Sequence, residues 1–217
     1  MTSLEFRDRL ARRARRAKAP VTLAMLDPLE AYFRLLTLWN AKINLTALPL
    51  DPPTDETFDR LLVEPLAASK QFPDIPAVWF DLGSGGGSPA IPLKIARPAL
   101  RLTMIESKER KSVFLREAVR VVGLAQTDVA TERFEEAASK AEYAGKGDLV
   151  TVRAVRTDQV FFETAEKLLS AKGQLLLFRP AHTASADPPG FKRLSTVPLI
   201  DAPPSFLSIY QRTPAST

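Results

Sequence analysis

The chain has 217 residues, 45% hydrophobic and 25% charged, with a formal net charge of +5; this length and balance suit one sizeable core and a single-domain protein. It has no cysteine and one histidine, His182, which excludes disulfides, cysteine zinc sites, thiolate nucleophiles and any Ser-His catalysis not built on that residue. No apolar run reaches the roughly 20 residues of a membrane span and no secretory leader is legible, so the reading is a cytoplasmic protein with neither membrane nor metal partners.

Residues 1–18 carry Arg7, Arg9, Arg12, Arg13, Arg15, Arg16 and Lys18 against Glu5 and Asp8, so this run alone holds the whole positive excess. Three readings stay open: a basic arm over 1–20 that neutralises nucleic-acid phosphates, a solvated helix, and an Arg-rich transit peptide, against which the early acids argue. In the first reading Arg12, Arg13 and Arg16 are the candidate RNA contacts.

A helical cap is expected over 21–72. Residues 22–41 space Leu23, Leu26, Leu29, Phe33, Leu36 and Trp39 by three or four, which makes one apolar helical face. Pro28 is expected at a helix start. The stretch "INLTALPLDPPTDE" reads as loop, and a shorter helix follows over about 56–70.

From 73 to 217 the pattern is that of a core. Strands are expected at 77–82, 100–106, 127–131, 148–154 and 173–179, and helices at 88–97, 109–122, 134–142 and 158–171. Such alternation predicts an α/β fold with a parallel sheet covered on both faces. "FKRLSTVPLI" and "SFLSIYQRT", joined by the turn from Asp201 to Pro204, predict a closing antiparallel hairpin. His182 falls in a Pro/Ala/Ser-rich stretch and reads as a solvated loop residue.

"DLGSGGGSPAIPL" (81–93) places glycines directly after the first strand, where α/β sheets bind nucleotides through backbone amides and a helix N-terminus. The dinucleotide fingerprint fails here, because Gly83 and Gly85 are followed by Ser88 where a third glycine belongs. Ser88 is instead expected as an N-cap with Pro89 at the first helical position. The succession Asp81, Leu82, Gly83, Gly85, Gly87 resembles the first motif of Rossmann-like S-adenosylmethionine-dependent methyltransferases. In that reading Asp81 anchors a polar, cationic ligand. Glu106 closes the next predicted strand 23 residues after Gly83 and suits the ribose hydroxyls. A plain tight turn with Glu106 as a surface acid, and a nicotinamide enzyme, remain as alternatives.

Missing residues narrow the methyl acceptor. Pyrimidine carbon 5 normally needs a cysteine nucleophile. Exocyclic amines usually go with an Asn/Asp-Pro-Pro-aromatic segment after the fourth strand, where this chain has "DLVTVRAV". A ring nitrogen such as guanine N7 carries an in-plane lone pair and needs no base. Alignment alone can recover about 7 to 11 kcal/mol of such a barrier.

"LTLWNAKINLT" (36–46), "FDLGSGGGSPAIPLKIARP" (80–98), "IESKERKSVFLREAVRVVGL" (105–124), "ERFEE" (132–136) and "DLVTVRAV" (148–155) together resemble the bacterial small-subunit ribosomal RNA guanine-N7 methyltransferase family, also called glucose-inhibited division protein B. The resemblance implies S-adenosylmethionine as cofactor and ribosomal RNA or the assembling small subunit as partner. Separately, a monomer is expected, and reaching the base calls for an unstacked or flipped nucleotide. Carried over by position, it implies cofactor contacts at Gly83, Ser88, Phe134, Glu135 and Arg153, which Asp81, Gly85 and Glu106 join. Phe134 would flank the adenine or else pack in the core.

Arg153 is the catalytic candidate, touching guanine O6, a phosphate or the cofactor carboxylate, with an ordinary salt bridge as the alternative. Asn44 and Arg179 are further RNA candidates; Trp39, Asn40 and Thr46 are weighed for the substrate side, Trp39 fitting the core better. The chain departs from the family pattern at Arg60, Val63 and Glu64 in "FDRLLVEPL" and at Arg179 and Pro180. The alternatives are therefore a methyltransferase for another RNA or a small molecule, and a non-catalytic RNA-binding protein.

Overall fold

The computed structural model describes residues 1–180 and 187–213; His182 lies outside them. The basic N-terminal run is helix α1 (Ser3–Arg16), opened by a capping box in which Thr2 and Glu5 satisfy each other's backbone N–H groups. Phe6, Leu10 and Ala14 recur every four residues and form its buried stripe.

Helix α2 (Leu23–Asn40) buries Leu29, Tyr32, Phe33, Leu35 and Leu36. Two expectations fail there. Leu23 is 87% exposed, so the apolar face begins later than its spacing suggests. Pro28 lies inside the helix, which gives up the bond its missing N–H would have made one turn back. Packing of the residues that follow outweighs that local loss.

The predicted helix at 56–70 is a composite: α3 (Asp55–Phe58), a π turn (Asp59–Val63), α4 (Glu64–Ala68) and a 3₁₀ turn (Ser69–Gln71). Phe6 of α1, Phe33 of α2 and Phe58 of α3 meet as three mutually tilted rings with centroids 5.4 to 5.5 Å apart. Aromatic contact of this kind joins the three helices beneath their charged outer faces.

The remainder alternates as expected: β1 (Val78–Leu82), α5 (Ala90–Ala96), β2 (Arg101–Ile105), α6 (Glu109–Val122), β3 (Thr127–Ala130), α7 (Phe134–Ala137), β4 (Gly147–Arg153), α8 (Gln159–Leu168), β5 (Leu169–Arg179), β6 (Phe191–Asp201) and β7 (Pro204–Arg212). The sheet order is β3-β2-β1-β4-β5-β7-β6. The first five strands are parallel, and β7 and β6 close the edge as an antiparallel hairpin.

Successive residues of β1 show why both faces are covered. Trp79 enters the core beneath α1, α2, α5 and α6, whereas Phe80 packs on the opposite side with Phe161, Ala165 and Leu168 of α8. The helices α7 and α8 both end before their predicted limits. α7 stops after four residues, because beyond Ala138 the segment offers exposed Ser139 and Lys140 and then turns. α8 stops at Leu168, because Leu169 already pairs with Gly147 in the sheet.

The order of strand addition reverses at β1: β2 and β3 follow on one side, and the chain then crosses to β4 and β5 on the other. The crevice beyond the carboxyl ends of β1 and β4 is therefore the switch point at which open α/β sheets take ligands.

Candidate cofactor and substrate site

The loop after β1 has three residues in the left-handed region: Gly83 (φ +70°), Gly85 (φ +52°) and Gly87 (φ +84°). At Gly83 a Cβ would also lie 2.7 Å from Val155 Cγ2, so both backbone and space demand glycine. At Gly85 a Cβ would meet only the Gly83 carbonyl oxygen at 3.7 Å; here the restriction is conformational.

Asp81 and Glu106 hold this loop from two sides. Asp81 is buried; its Oδ2 accepts from Ser84 Oγ at 2.6 Å and its Oδ1 from Thr151 Oγ1 at 2.5 Å. Thr151 in turn accepts from Trp79 Nε1 at 2.8 Å. Burial pushes the Asp81 carboxyl above the usual range, against the two hydroxyl bonds and the charge of Arg153. Asp81 is thus a hub inside the wall, not on the pocket surface, which corrects the expectation that it anchors a ligand directly.

Glu106 stands at the end of β2, as its position predicted. Its Oε2 accepts from Gly85 N at 2.9 Å and its Oε1 from Lys108 N at 2.8 Å. Each carboxylate oxygen has a second lone pair, so these backbone bonds orient the group and leave acceptor capacity for hydroxyls.

Gly83–Gly86, Ser88 and Thr46 line a pocket of about 540 Å³ whose titratable wall is Arg60, Glu64, Lys111, Arg153 and Arg179. Arg153, ending β4, donates from Nη1 to the Arg60 carbonyl (2.5 Å) and from Nη2 to the Ser88 carbonyl (2.8 Å). Glu64 lies between two guanidinium groups, 3.3 Å from Arg60 Nη1 and 3.4 Å from Arg153 Nη1. The salt-bridge reading of Arg153 is met by Glu64, and the same side chain lines the pocket. Arg60, Glu64, Arg179 and Pro180, the departures from the family pattern, all face this one pocket, and Val63 is buried beside it.

Ser88 does not cap α5. The helix is preceded by Pro89, and the Ser88 hydroxyl donates instead to the Leu61 carbonyl at 2.8 Å. A tertiary acceptor has taken the side chain that the local pattern assigned to the helix end.

The other expected residues divide. Phe134 packs edge-on to Phe161 at 6.1 Å with the second core; neither it nor Glu135 lines the pocket. Asn44 is exposed and off the pocket wall, although the following residues, Leu45 to Leu48, line it. Asn40 shapes that wall: its Oδ1 accepts from Leu45 N at 2.9 Å and Thr46 N at 3.0 Å. Trp39 packs edge-on to Phe114 at 5.8 Å.

In α1, Arg12 and Arg16 are exposed, but Arg13 is 12% exposed and bound to Asp59 and Asp55, which corrects its reading as a free phosphate contact. A bidentate partner on α3 and the π turn has already taken its donors.

Sequence reasoning missed Lys111 and Tyr32. The Tyr32 hydroxyl donates to the Gly86 carbonyl at 2.6 Å, and burial pushes its pKa far up, so it keeps the proton it donates. A phenol on an otherwise apolar helical face was the available signal, since a buried tyrosine hydroxyl needs a partner. Among the described residues no group of three His, Asp or Glu side chains is placed to hold a metal, and no helix is long and apolar enough to cross a membrane.

Sheet order, glycine loop and the acid closing β2 define a Rossmann-like methyltransferase fold. A solved S-adenosylmethionine-dependent methyltransferase from Aquifex aeolicus superposes with a TM-score of 0.55 at 15% identity, covering 70% of this chain and 91% of that one. The sequence profile of rRNA small subunit methyltransferase G (GidB) matches residues 25–186. Ribosomal RNA small subunit methyltransferase G of Stenotrophomonas maltophilia strain K279a is 35% identical over 181 residues, 81% of this chain and 80% of that protein. Its counterpart in Synechococcus sp. strain CC9311 is 36% identical over 180 residues, 82% and 68% of the two chains. The chain belongs to the rRNA small subunit methyltransferase G (GidB) family.

Proposed function

We propose that this methyltransferase acts as a single-domain cytoplasmic monomer, moving the methyl group of S-adenosylmethionine to N7 of a guanine in small-subunit ribosomal RNA. The observation that carries the choice of N7 is the pocket's titratable wall: four cations and one carboxylate, Glu64, which two arginines already hold. Among the described residues no group in that wall is disposed to take a proton from an acceptor, and N7 has none to give.

The residues present fit the cofactor. The open loop at Gly85 and the oriented carboxylate of Glu106 would hold its methionine and ribose parts, and its sulfonium supplies an electrophilic methyl group. Arg153 fixes the loop against β4 through the Ser88 carbonyl, and its remaining N–H donors suit guanine O6, a phosphate or the cofactor carboxylate. Gripping N7 itself would occupy the attacking lone pair. Arg60, Lys111 and Arg179 at the wall, with exposed Arg12 and Arg16, would attract the RNA backbone.

The test is mass spectrometry of small-subunit ribosomal RNA after incubation with the purified protein and S-adenosylmethionine. One new N7-methylguanosine in a mapped fragment is expected. Methylation on another atom, or none on RNA or subunit, would remove the assignment.

A further inference from the structure

Helix α1 lies before the family match, which starts at residue 25, yet it is built into the core. Phe6 and Leu10 are buried in the cluster that also holds Phe58, Leu61 and Leu62. Arg13 reaches across the same contact: its Nε donates to Asp59 Oδ1 at 2.9 Å, its Nη2 also binds Asp59, and its Nη1 meets Asp55 Oδ2 at 3.0 Å.

Asp59 is the first residue of the π turn, and its side chain is 3% exposed. The two carbonyls that follow are spent on the pocket. The Arg60 carbonyl accepts from Arg153 Nη1, and the Leu61 carbonyl from Ser88 Oγ. Arg153 closes the circuit by donating to the Ser88 carbonyl. Asp59 opens the turn that carries these carbonyls, and its buried carboxylate is clamped by a charge-assisted bond from α1.

We propose that Arg13 is a positioning residue for the cofactor site, acting through Asp59 to fix the π turn whose carbonyls hold Arg153 and Ser88. In this role α1 braces the pocket wall, and Arg13 makes no contact with RNA phosphate. Arg9 provides the internal comparison. It lies on the same helix, binds Asp55 and the Pro53 carbonyl and sits over the Phe58 ring, but makes no bond to Asp59 among the described residues.

The experiment uses the full chain with Arg13→Met, which keeps the aliphatic stem, Arg13→Lys, which keeps charge but cannot span both carboxylate oxygens, and Arg9→Met. S-adenosylmethionine affinity is read by calorimetry well below each variant's Tm, and RNA affinity is read against salt concentration. The expected result is a cofactor affinity lowered about 2- to 30-fold in Arg13→Met, less in Arg13→Lys and unchanged in Arg9→Met. The RNA salt slope should stay at the wild-type value in all three.

In steady state, KM for the cofactor should rise with kcat preserved at saturation. If Arg13→Met does not fold, Arg13→Lys carries the test alone. Unchanged cofactor affinity in the folded Arg13 variants overturns the proposal, as does an equal loss in Arg9→Met, which would mean only generic docking of α1. A salt slope reduced by about one, the mark of a lost phosphate contact, returns Arg13 to RNA binding.

Discussion

The hydroxyl of Tyr32 and the carbonyl of Gly86 form a 2.6 Å hydrogen bond between residues 54 positions apart. It ties the helical cap directly to the cofactor loop, with Tyr32 fully buried. Tyr32→Phe keeps the ring but leaves the Gly86 carbonyl without its donor, so a loss of about 1–3 kcal/mol is expected in denaturant unfolding. Cofactor affinity should fall alongside. A variant as stable as the parent would show that water replaces the hydroxyl at no cost.

The glycines of the loop should separate by variant. Gly83→Ala meets both positive φ and Val155, whereas Gly85→Ala meets positive φ alone. A left-handed residue with a Cβ costs roughly 1–2 kcal/mol. Gly85→Ala is therefore expected to stay folded with weakened S-adenosylmethionine binding, and Gly83→Ala to lose clearly more stability. Equal melting shifts would contradict the contact geometry.

Ionisation of Asp81 is opposed first by burial, which raises its pKa in the folded state. The folded chain then binds more protons than the unfolded one, so this group's contribution falls as pH rises from the ordinary carboxylate range through the raised value. Asp55 has the opposite sign. The hydrogen bond from Arg9 is the main cause of its lowered pKa, so its contribution is present above the ordinary range and lost as pH falls through the lowered value. Unfolding measured against pH should show Asp81→Asn removing the decline that sets in as pH rises above the ordinary carboxylate range, and Asp55→Asn removing part of the loss as pH falls below it. The same slope in Asp81→Asn as in the parent would discard this account.

Arg153→Lys tests the double tether to the Arg60 and Ser88 carbonyls. A lysine can satisfy one acceptor but not this planar fork. Each lost charged hydrogen bond is worth about 1.5–3 kcal/mol, so kcat/KM for methyl transfer to ribosomal RNA should drop roughly 10- to 100-fold. Near-parental turnover would make Arg153 dispensable to the site.

Removing residues 1–18 would be a poor test of RNA binding, since it would strip Phe6 and Leu10 from the core and unpair Asp59. Single neutralisations keep the fold. Lys111→Gln, Arg12→Gln and Arg16→Gln should each flatten the dependence of log affinity on log salt by about 0.7–0.9 if that side chain neutralises one phosphate. A parental slope removes that residue from the interface.

Much of the fold was legible because its signals are local. Alternating apolar runs, glycines directly after β1 and an acid closing β2 all report on neighbours within a few residues. Pro28 and Ser88 were misread for the same reason, since local helix rules ignore tertiary packing and the distant Leu61 carbonyl. Phe134 and Glu135 carried a family position whose placement depends on how α7 meets α8, which no spacing encodes.

By itself, the sequence determined the parallel α/β sheet, the position of the cofactor loop and the acid that faces it. Only the tertiary structure decided which charges are free. Arg13 and Asp59 lie 46 residues apart, and Arg153 and Ser88 lie 65 apart. Long side chains choose partners through space, and burial of the helix that carries them turned an apparent basic arm into part of the packed core.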